Sequence, residues 1–453
     1  MVEAAAPLDV AARPVTGLVS AGRRRYVLTL LTLAYTLSFL DRQVLSILVE
    51  PIKNELHVGD ALMGLLTGPL FVIFYTFLGI PIAWLADRWN RPLIITLSLT
   101  LWSGFTALSG MVTSFLPLAL ARLGVGFGEA GCNPSSHSLI ADLSPPEKRA
   151  SGLAIYSLGV SIGTLLGLAM GGLIADAYGW RAAFMVAAGP GLVLALVIAL
   201  TVKEARPAIH LGGATLAQSL ILPLKDLIET VKALADKPAF WFVALGAGFS
   251  SFVGYAHLFF TASFFLRCHG PELATLAAGF GLKPKGFLGP ALGLVTGLGG
   301  LIGTLIGGHI ADRAAARDRR FAMTVPAIAA VVLIPFIFVI FTLKDALPAL
   351  AMVLVPNVVG TLWYGSVYST VQSVVAPHRR ATAAALLFLI LNLIGLGLGP
   401  TFLGLCSDFL AKTEHLGAAE GLRWAMIATG CFDVVASACF WMARRTIRQD
   451  VVS

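Results

Sequence analysis

The sequence predicts an all-α integral membrane protein with twelve transmembrane helices in two pseudo-symmetric six-helix bundles. Three observations predict it. First, 57% of the 453 residues are hydrophobic and only 12% are charged, with a mean hydropathy of +0.85, whereas soluble domains are roughly 25% charged. Second, the charges come in short clusters between apolar runs of about 20 residues, the length a helix needs to cross a hydrocarbon core of roughly 30 Å. Third, short motifs of the first half recur in the second half in the same order. So few charges exclude a soluble enzyme. Runs of this length exclude an outer-membrane barrel, whose strands alternate over roughly 10 residues.

Taken in order, residues 1–24 hold Arg13 and the start of the Arg23-Arg24-Arg25 cluster but no apolar core. They read as a cytoplasmic tail and not a cleaved signal. Apolar runs place spans at 25–48, 60–86, 92–112, 115–138, 150–175 and 179–202, which form a first bundle over 25–202. A second set at 238–266, 287–311, 321–342, 346–374, 380–407 and 418–443 forms a bundle over 238–444, followed by a tail at 445–453. Between the bundles, 203–237 is the longest polar stretch, and its pattern predicts an amphipathic helix around Leu216 to Leu234 on the membrane surface.

Lys and Arg in the short loops set orientation. With both termini cytoplasmic, 22 of the 32 basic residues fall on the inner side and eight on the outer, leaving Arg42 and Arg122 at membrane depth. The net charge of +8 thus marks topology in a cell (inner) membrane, and no basic block interleaved with aromatics points to nucleic acid. The five cysteines form no CxxC pair and mostly sit in apolar runs, where a thiol is a small hydrophobe. Neither disulfide, metal nor cofactor is inferred.

The repeats come in four pairs. Ala83-Trp-Leu-Ala-Asp87-Arg88-Trp-Asn-Arg91 is matched by Gly308-His-Ile-Ala-Asp312-Arg313, and Pro146-Glu-Lys-Arg149 by Pro377-His-Arg-Arg380. Gly172-Leu-Ile-Ala-Asp176 is matched by Gly404-Leu-Cys-Ser-Asp408, and Gly179-Trp-Arg181 by Gly421-Leu-Arg423. The separations of 225, 231, 232 and 242 residues rise steadily, the pattern of transporters built from related bundles.

These residues resemble the major facilitator superfamily over essentially the whole chain. Asp87-Arg88-x-x-Arg91 is similar to its signature between spans 2 and 3, with Ala83 and Asn90 where glycines are usual. Arg122-x-x-x-Gly126-x-Gly128 in span 4 and Gly159, Gly163, Gly167 and Gly171 in span 5 resemble two further signatures. Within the superfamily, Tyr35-x-x-x-Phe39-Leu-Asp41-Arg42 with Gly128-Glu129-Ala130 resembles the Spinster family. That resemblance implies alternating access and lysolipids or sphingolipid metabolites as substrates. It also implies a latch at the cytoplasmic edge formed by Asp87, Arg88 and Arg91 with Asp312 and Arg313, in which an aspartate faces a helix N-terminus of the other half and arginines bridge the bundles. A plain topogenic loop is the other reading of those arginines.

Ionisable groups at the bilayer centre cost roughly 2.5 to 3.5 kcal/mol each on insertion scales, so they persist when paired, facing water or needed. Arg122 and Glu129 are seven residues apart and share a helix face. If spans 1 and 4 line a cavity, as the resemblance implies, they bring Asp41, Arg42, Arg122 and Glu129 together. This predicts a proton relay through Asp41 or Glu129, with Arg42 or Arg122 receiving a substrate anion. Static ion pairs that fix helix packing are the competing expectation. In the second half the polar candidates are His257, Asn392 and Asp433, with Trp363, Tyr364 and Tyr368 as amphipathic aromatics beside Tyr35 of the first. One charged wall and one mostly apolar wall suit a substrate with a polar head and a greasy tail.

The expectation is therefore a monomeric carrier, coupled to protons, for an amphiphilic small molecule or lipid, with a drug or organic-anion antiporter as the alternative. A transporter-derived sensor and an intramembrane lipid enzyme using His137 and Asp142 are further alternatives, the latter having no use for two repeated bundles. Gly126-Phe-Gly128-Glu-Ala-Gly131 reads GxGxxG but lies inside an apolar helix, not between a strand and a helix start. No GxxxxGK[ST] motif occurs, so energy comes from a gradient or from the substrate.

Overall fold

The computed structural model describes residues 20–86, 89–204, 228–317, 319–376 and 379–450, and no strand occurs among them. Backbone groups in hydrocarbon must be satisfied within the chain, which leaves helices as the means of crossing. Eleven helical segments are long and apolar enough to span a membrane. The remaining span is the first, Ala21–Leu56, whose middle carries the buried Asp41, Arg42 and Gln43. Its start is capped by Ser20, whose Oγ accepts from Arg23 N at 3.2 Å. It ends where His57 turns left-handed at φ 53°. The apolar run alone stops at residue 48, but the helix continues because Glu50, Lys53 and Glu55 all find partners near its far end.

Spans 3, 5, 6, 7, 8 and 9 are Arg91–Ser109, Pro146–Tyr178, Trp180–Thr201, Pro238–Cys268, Pro284–Arg317 and Arg319–Thr342. The other five are interrupted. Span 2 is Asp60–Thr67 and Pro69–Ala86, span 4 Phe115–Glu129 and Cys132–Leu143, and span 12 Gly417–Gly430 and Phe432–Asp450. Span 10 comes as Ala346–Met352, Leu354–Val359 and Trp363–Ser373, and span 11 as Arg380–Ile390 and Gly399–Lys412 joined by a π-helical stretch, Leu391–Leu398. The break at Gly68 sits where span 2 crosses span 11: a Cβ there would lie 2.7 Å from Leu396 O and 2.8 Å from Gly397 O. A short helix at Gly270–Ala278, on the side away from the chain ends, was not anticipated.

The amphipathic helix expected around Leu216 to Leu234 is described only over 228–234, which is helical. That part does not lie free on a surface. Leu234 is buried in the core of the second half, with Val231 packed against the same cluster. Residues 205–227 lie outside the described residues.

Glycines set how the two halves meet. Along one flank of span 5, Gly159, Gly163, Gly167 and Gly171 face span 1 between Thr32 and Ile47, as the small-residue stripe predicts. On its other flank, Gly172 meets Gly289 of span 8, and Gly293 and Gly297 of span 8 meet Leu165. A matching seam joins spans 2 and 11, where Gly64 faces Pro400 and Gly404 faces Asp60. Among the described residues these cross-half approaches lie in the helix halves remote from the chain ends. Towards the chain ends, Gly308 of span 8 has open space where a Cβ would stand, and Ile73, Phe74 and Phe77 of span 2 are exposed. The halves are closed on the far side and part towards the side that carries Ser20 and Asp450.

This seam predicts a position-specific cost. A Cβ on Gly289 would lie 2.9 Å from Gly172 Cα and closer still to Leu168 O, so Gly289→Ala is expected to destabilise by about 1 to 3 kcal/mol through overpacking. Gly189→Ala, with no atom within 4 Å, is expected to keep or raise the thermal midpoint in detergent. Equal midpoints for the two variants would show that the seam is not tightly packed.

Candidate functional site

Asp41 and Arg42 are consecutive on span 1 and therefore point about 100° apart, towards different neighbours. Asp41 accepts from Thr106 Oγ1 of span 3 at 2.7 Å and from Arg122 Nη1 of span 4 at 3.1 Å. Arg42 donates to Glu129 of span 4 from Nε at 3.1 Å and from Nη2 at 2.5 Å. Ser38, one turn before Arg42, donates to the same carboxylate. The shared face expected for Arg122 and Glu129 is what lets both engage span 1. All four charged residues are buried, so each carboxylate needs its arginine. Removing one member of such a pair typically costs 3 to 5 kcal/mol because the other charge is left alone.

The Arg42 guanidinium also lies over the rings of Phe71, Tyr75 and Phe39, at 4.5, 4.9 and 5.2 Å. A small cavity beside it is lined by Tyr35, Ser38, Tyr75, Glu129, Asn133 and Tyr156, among others. Tyr35 stacks on Tyr156 at 4.5 Å, and Tyr156 Oη donates to Asn133 Oδ1 at 2.9 Å. Glu129 Oε2 has no hydrogen-bond partner among the described residues. The site thus keeps one acceptor in reserve. Ser38, Tyr75, Thr106 and Tyr156 were not singled out from the sequence, where isolated hydroxyls in apolar runs carry no distinguishing pattern.

The second-half candidates collect elsewhere. His257 Nε2 lies 2.9 Å from Met426 O of span 12, and since a carbonyl only accepts, that nitrogen carries the proton. His257, Trp363 and Asp433 line a cavity of about 130 Å³ between spans 7, 8, 9, 10 and 12. Tyr364 and Tyr368 stack on each other at 6.2 Å outside it, and Asn392 sits half-buried in the π-helical stretch of span 11. The seven cavity candidates do not all line one cavity. Tyr35 belongs to the paired-charge site of the first half, His257, Trp363 and Asp433 line a largely apolar cavity in the second, and Tyr364, Tyr368 and Asn392 line neither.

The expected latch takes a different form in its described part. Asp87 and Arg88 lie outside the described residues, as does the side chain of Asp312, while Arg313 is exposed. Arg91 is fully buried, and among the described residues its partners lie at the ends of spans 4 and 6. It donates to Glu204 from its backbone N at 2.8 Å and from Nε at 3.1 Å, and to Asp142 at 2.7 Å. Carboxylates at the ends of spans 4 and 6 occupy its donors, so Arg91 staples three helix ends within the first half.

Cross-half aspartates stand instead on the far side, in the third pair of repeated motifs. Asp408 accepts from Asp60 N at 3.1 Å and Ala61 N at 3.0 Å, capping the start of span 2. Its counterpart Asp176 accepts from Lys283 N at 2.9 Å, at the start of span 8. Both place negative charge on unsatisfied N–H groups at the positive end of a helix belonging to the other half. Asp60 in turn accepts from Lys53, from both terminal nitrogens of Arg267 and from Ser407, each at 2.7 Å. The repeat marked Asp176 and Asp408, but only the structure supplies their roles. Nearby, hydrogen bonds from Arg181 and Trp180 hold the Glu55 carboxyl below its ordinary pKa.

Two bundles, glycine seams and mirrored aspartate caps agree with a match of residues 31–400 to the Major Facilitator Superfamily. The chain belongs to that superfamily. A curated relative, an MFS-type efflux pump of Mycolicibacterium smegmatis, is 32% identical over 425 residues, covering 93% of each chain. The sphingosine-1-phosphate transporter of Danio rerio is 26% identical over 437 residues, covering 94% of this chain and 84% of its own. Among solved structures, a bacterial homolog of the human lysosomal transporter Spinster, in an inward-facing and unoccupied conformation, superposes with a TM-score of 0.81. It is 32% identical, with 96% of this chain and all of that one covered. The protein is a Spinster-like multi-pass membrane transporter of the superfamily and not an enzyme.

The far-side caps of this facilitator are directly testable. Hydrogen bonds to a charged acceptor contribute about 1.5 to 3 kcal/mol, so Asp408→Ala is expected to speed amide exchange at Asp60 and Ala61 at least tenfold. Hydrogen exchange read by mass spectrometry over 58–67 measures this. Unchanged protection would mean that the cap does not hold the far side closed.

Proposed function

We propose that the protein is a proton-coupled carrier of an amphiphilic molecule, such as a lysolipid or sphingolipid-like molecule, working by alternating access in the cell membrane. The moving bodies are residues 25–202 and 238–444, joined by 203–237, in a monomer with both termini cytoplasmic. On that orientation the present conformation is open to the cytoplasm. The observation that carries the reading is the Arg42 to Glu129 pair, buried at membrane depth beside a cavity and with one carboxylate oxygen unpartnered among the described residues.

Its logic is charge balance. While Arg42 holds Glu129, the pair is neutral and the carboxylate stays ionised. An anionic headgroup that takes the guanidinium leaves Glu129 facing a low-dielectric site, where it binds a proton and restores neutrality. Arg122 and Asp41 form a second such pair, with Thr106 steadying the carboxylate. The rings over Arg42 supply apolar surface for the part of the substrate next to the headgroup. The name of the Danio rerio relative supports a lipid with an anionic head. The name of the Mycolicibacterium relative favours the second reading, a drug or organic-anion antiporter using the same pairs.

Transport in proteoliposomes distinguishes them. Under an imposed pH gradient, lysophospholipid flux is expected to exceed flux of a cationic dye and to depend on the gradient. Glu129→Gln and Asp41→Asn are expected to elute as folded, monodisperse protein whose flux no longer responds to pH. Full coupling in both variants would reduce the pairs to packing elements, and dye flux alone would favour the antiporter.

A further inference from the structure

We propose that the cavity inside the second half is a separate binding site for organic ammonium ions, with the Asp433 carboxylate as their counter-ion. Asp433 lies just after the break in span 12 at Cys431. It is 1% exposed, it lines the cavity, and neither of its carboxylate oxygens has a hydrogen-bond partner among the described residues. The contrast with the first half is sharp, because Asp41 and Glu129 are each matched to an arginine.

No arginine or lysine lines the cavity wall to take that role for Asp433. The other titratable lining residue, His257, donates its Nε2 proton to Met426 O. Four of the polar lining side chains are committed to backbone carbonyls. Ser46 donates to Leu258 O, Thr261 to His257 O, Thr296 to Leu292 O and Asn357 to Val353 O. A buried carboxylate without donors or a counter-charge is unfavourable by several kcal/mol, so Asp433 holds a proton when the cavity is empty and exchanges it for a cationic ligand that supplies the balancing charge.

The rest of the wall states what kind of cation fits. It is predominantly aliphatic, through residues such as Leu292, Leu333 and Ile337, and it includes the rings of Trp363 and Phe341. Aromatic faces beside a single carboxylate recognise alkylated ammonium groups, through cation–π attraction and a low desolvation cost. An inorganic cation would need more oxygen ligands than this wall offers. An anionic head is repelled. Ser46 and Leu168 of the first half complete the wall, so the site lies against the seam and its shape depends on how the halves are docked.

The inference stands apart from the transport reading, because equilibrium binding requires neither a gradient nor flux. The full-length protein in an uncharged detergent is dialysed against radiolabelled benzyltrimethylammonium. Wild-type protein is expected to bind one equivalent, displaced by other aryl or alkyl ammonium ions and not by benzenesulfonate. Asp433→Asn, which replaces the carboxylate with a neutral group of the same shape, is expected to weaken binding at least tenfold while eluting as wild type. Leu333→Trp, which fills the cavity and leaves Asp433 in place, is expected to abolish it. The proposal is overturned if wild type does not bind, if Asp433→Asn binds as wild type does, or if Glu129→Gln removes binding that Asp433→Asn retains.

Discussion

Charge buried among apolar helices must be matched, and this constraint organises the protein more than any single contact. Span 1 carries a carboxylate and a guanidinium on successive residues, and each has a partner of opposite sign on span 4. Those two pairs fix the rotation of span 1 about its axis. With the rotation fixed, one face of span 1 meets the glycines of span 5 and another presents Ser46 to span 7. The low apolarity that sets span 1 apart from the other eleven is thus the cost of its position at the centre of the first half.

The same constraint explains why the halves close where they do. Asp176 and Asp408 occupy equivalent places in the repeat, and each supplies its carboxylate to the N-terminus of a helix across the seam. Glycine contacts continue both seams inward and allow backbone approach without interlocking side chains. Such a surface is tight yet can separate along its length. The described charges nearer the chain ends behave differently: Arg91 is satisfied wholly within its own half. A structure held together by polar caps on one side and parted on the other has the asymmetry that alternating access requires.

Much of this was legible in the sequence, for identifiable reasons. Helix length and the low charge content follow from bilayer thickness, so most spans could be placed to within about five residues, while spans 1, 8 and 12 continue past their apolar runs to Leu56, Arg317 and Asp450. The seven-residue spacing of Arg122 and Glu129 fixed their shared face, and the repeats picked out Asp176 and Asp408. Partners separated by long stretches of chain were not legible. Glu204 meets Arg91 across 113 residues, and Asp408 meets the start of span 2 across 348. The interruptions of spans 2 and 11 also escaped notice, because they arise where two helices cross and not from local breaking residues alone. Asp433 looked like one polar candidate among several. Its isolation appears only in the structure, where neither carboxylate oxygen has a partner among the described residues and no cationic side chain lines the cavity.

The central claim is that the two halves move as bodies about the seams, so that opening one side closes the other. Spin labels at Tyr178 and Phe280, both exposed on the far side, and a second pair at Arg23 and Arg445 near the chain ends, report the two sides by double electron–electron resonance. In the double variant Asp176→Asn and Asp408→Asn the account predicts a coupled change, with a longer distance appearing on the far side and a shorter one at the chain ends in equal proportion. A far-side distance that lengthens while the chain-end distance stays fixed, or two distances that never change, would contradict it.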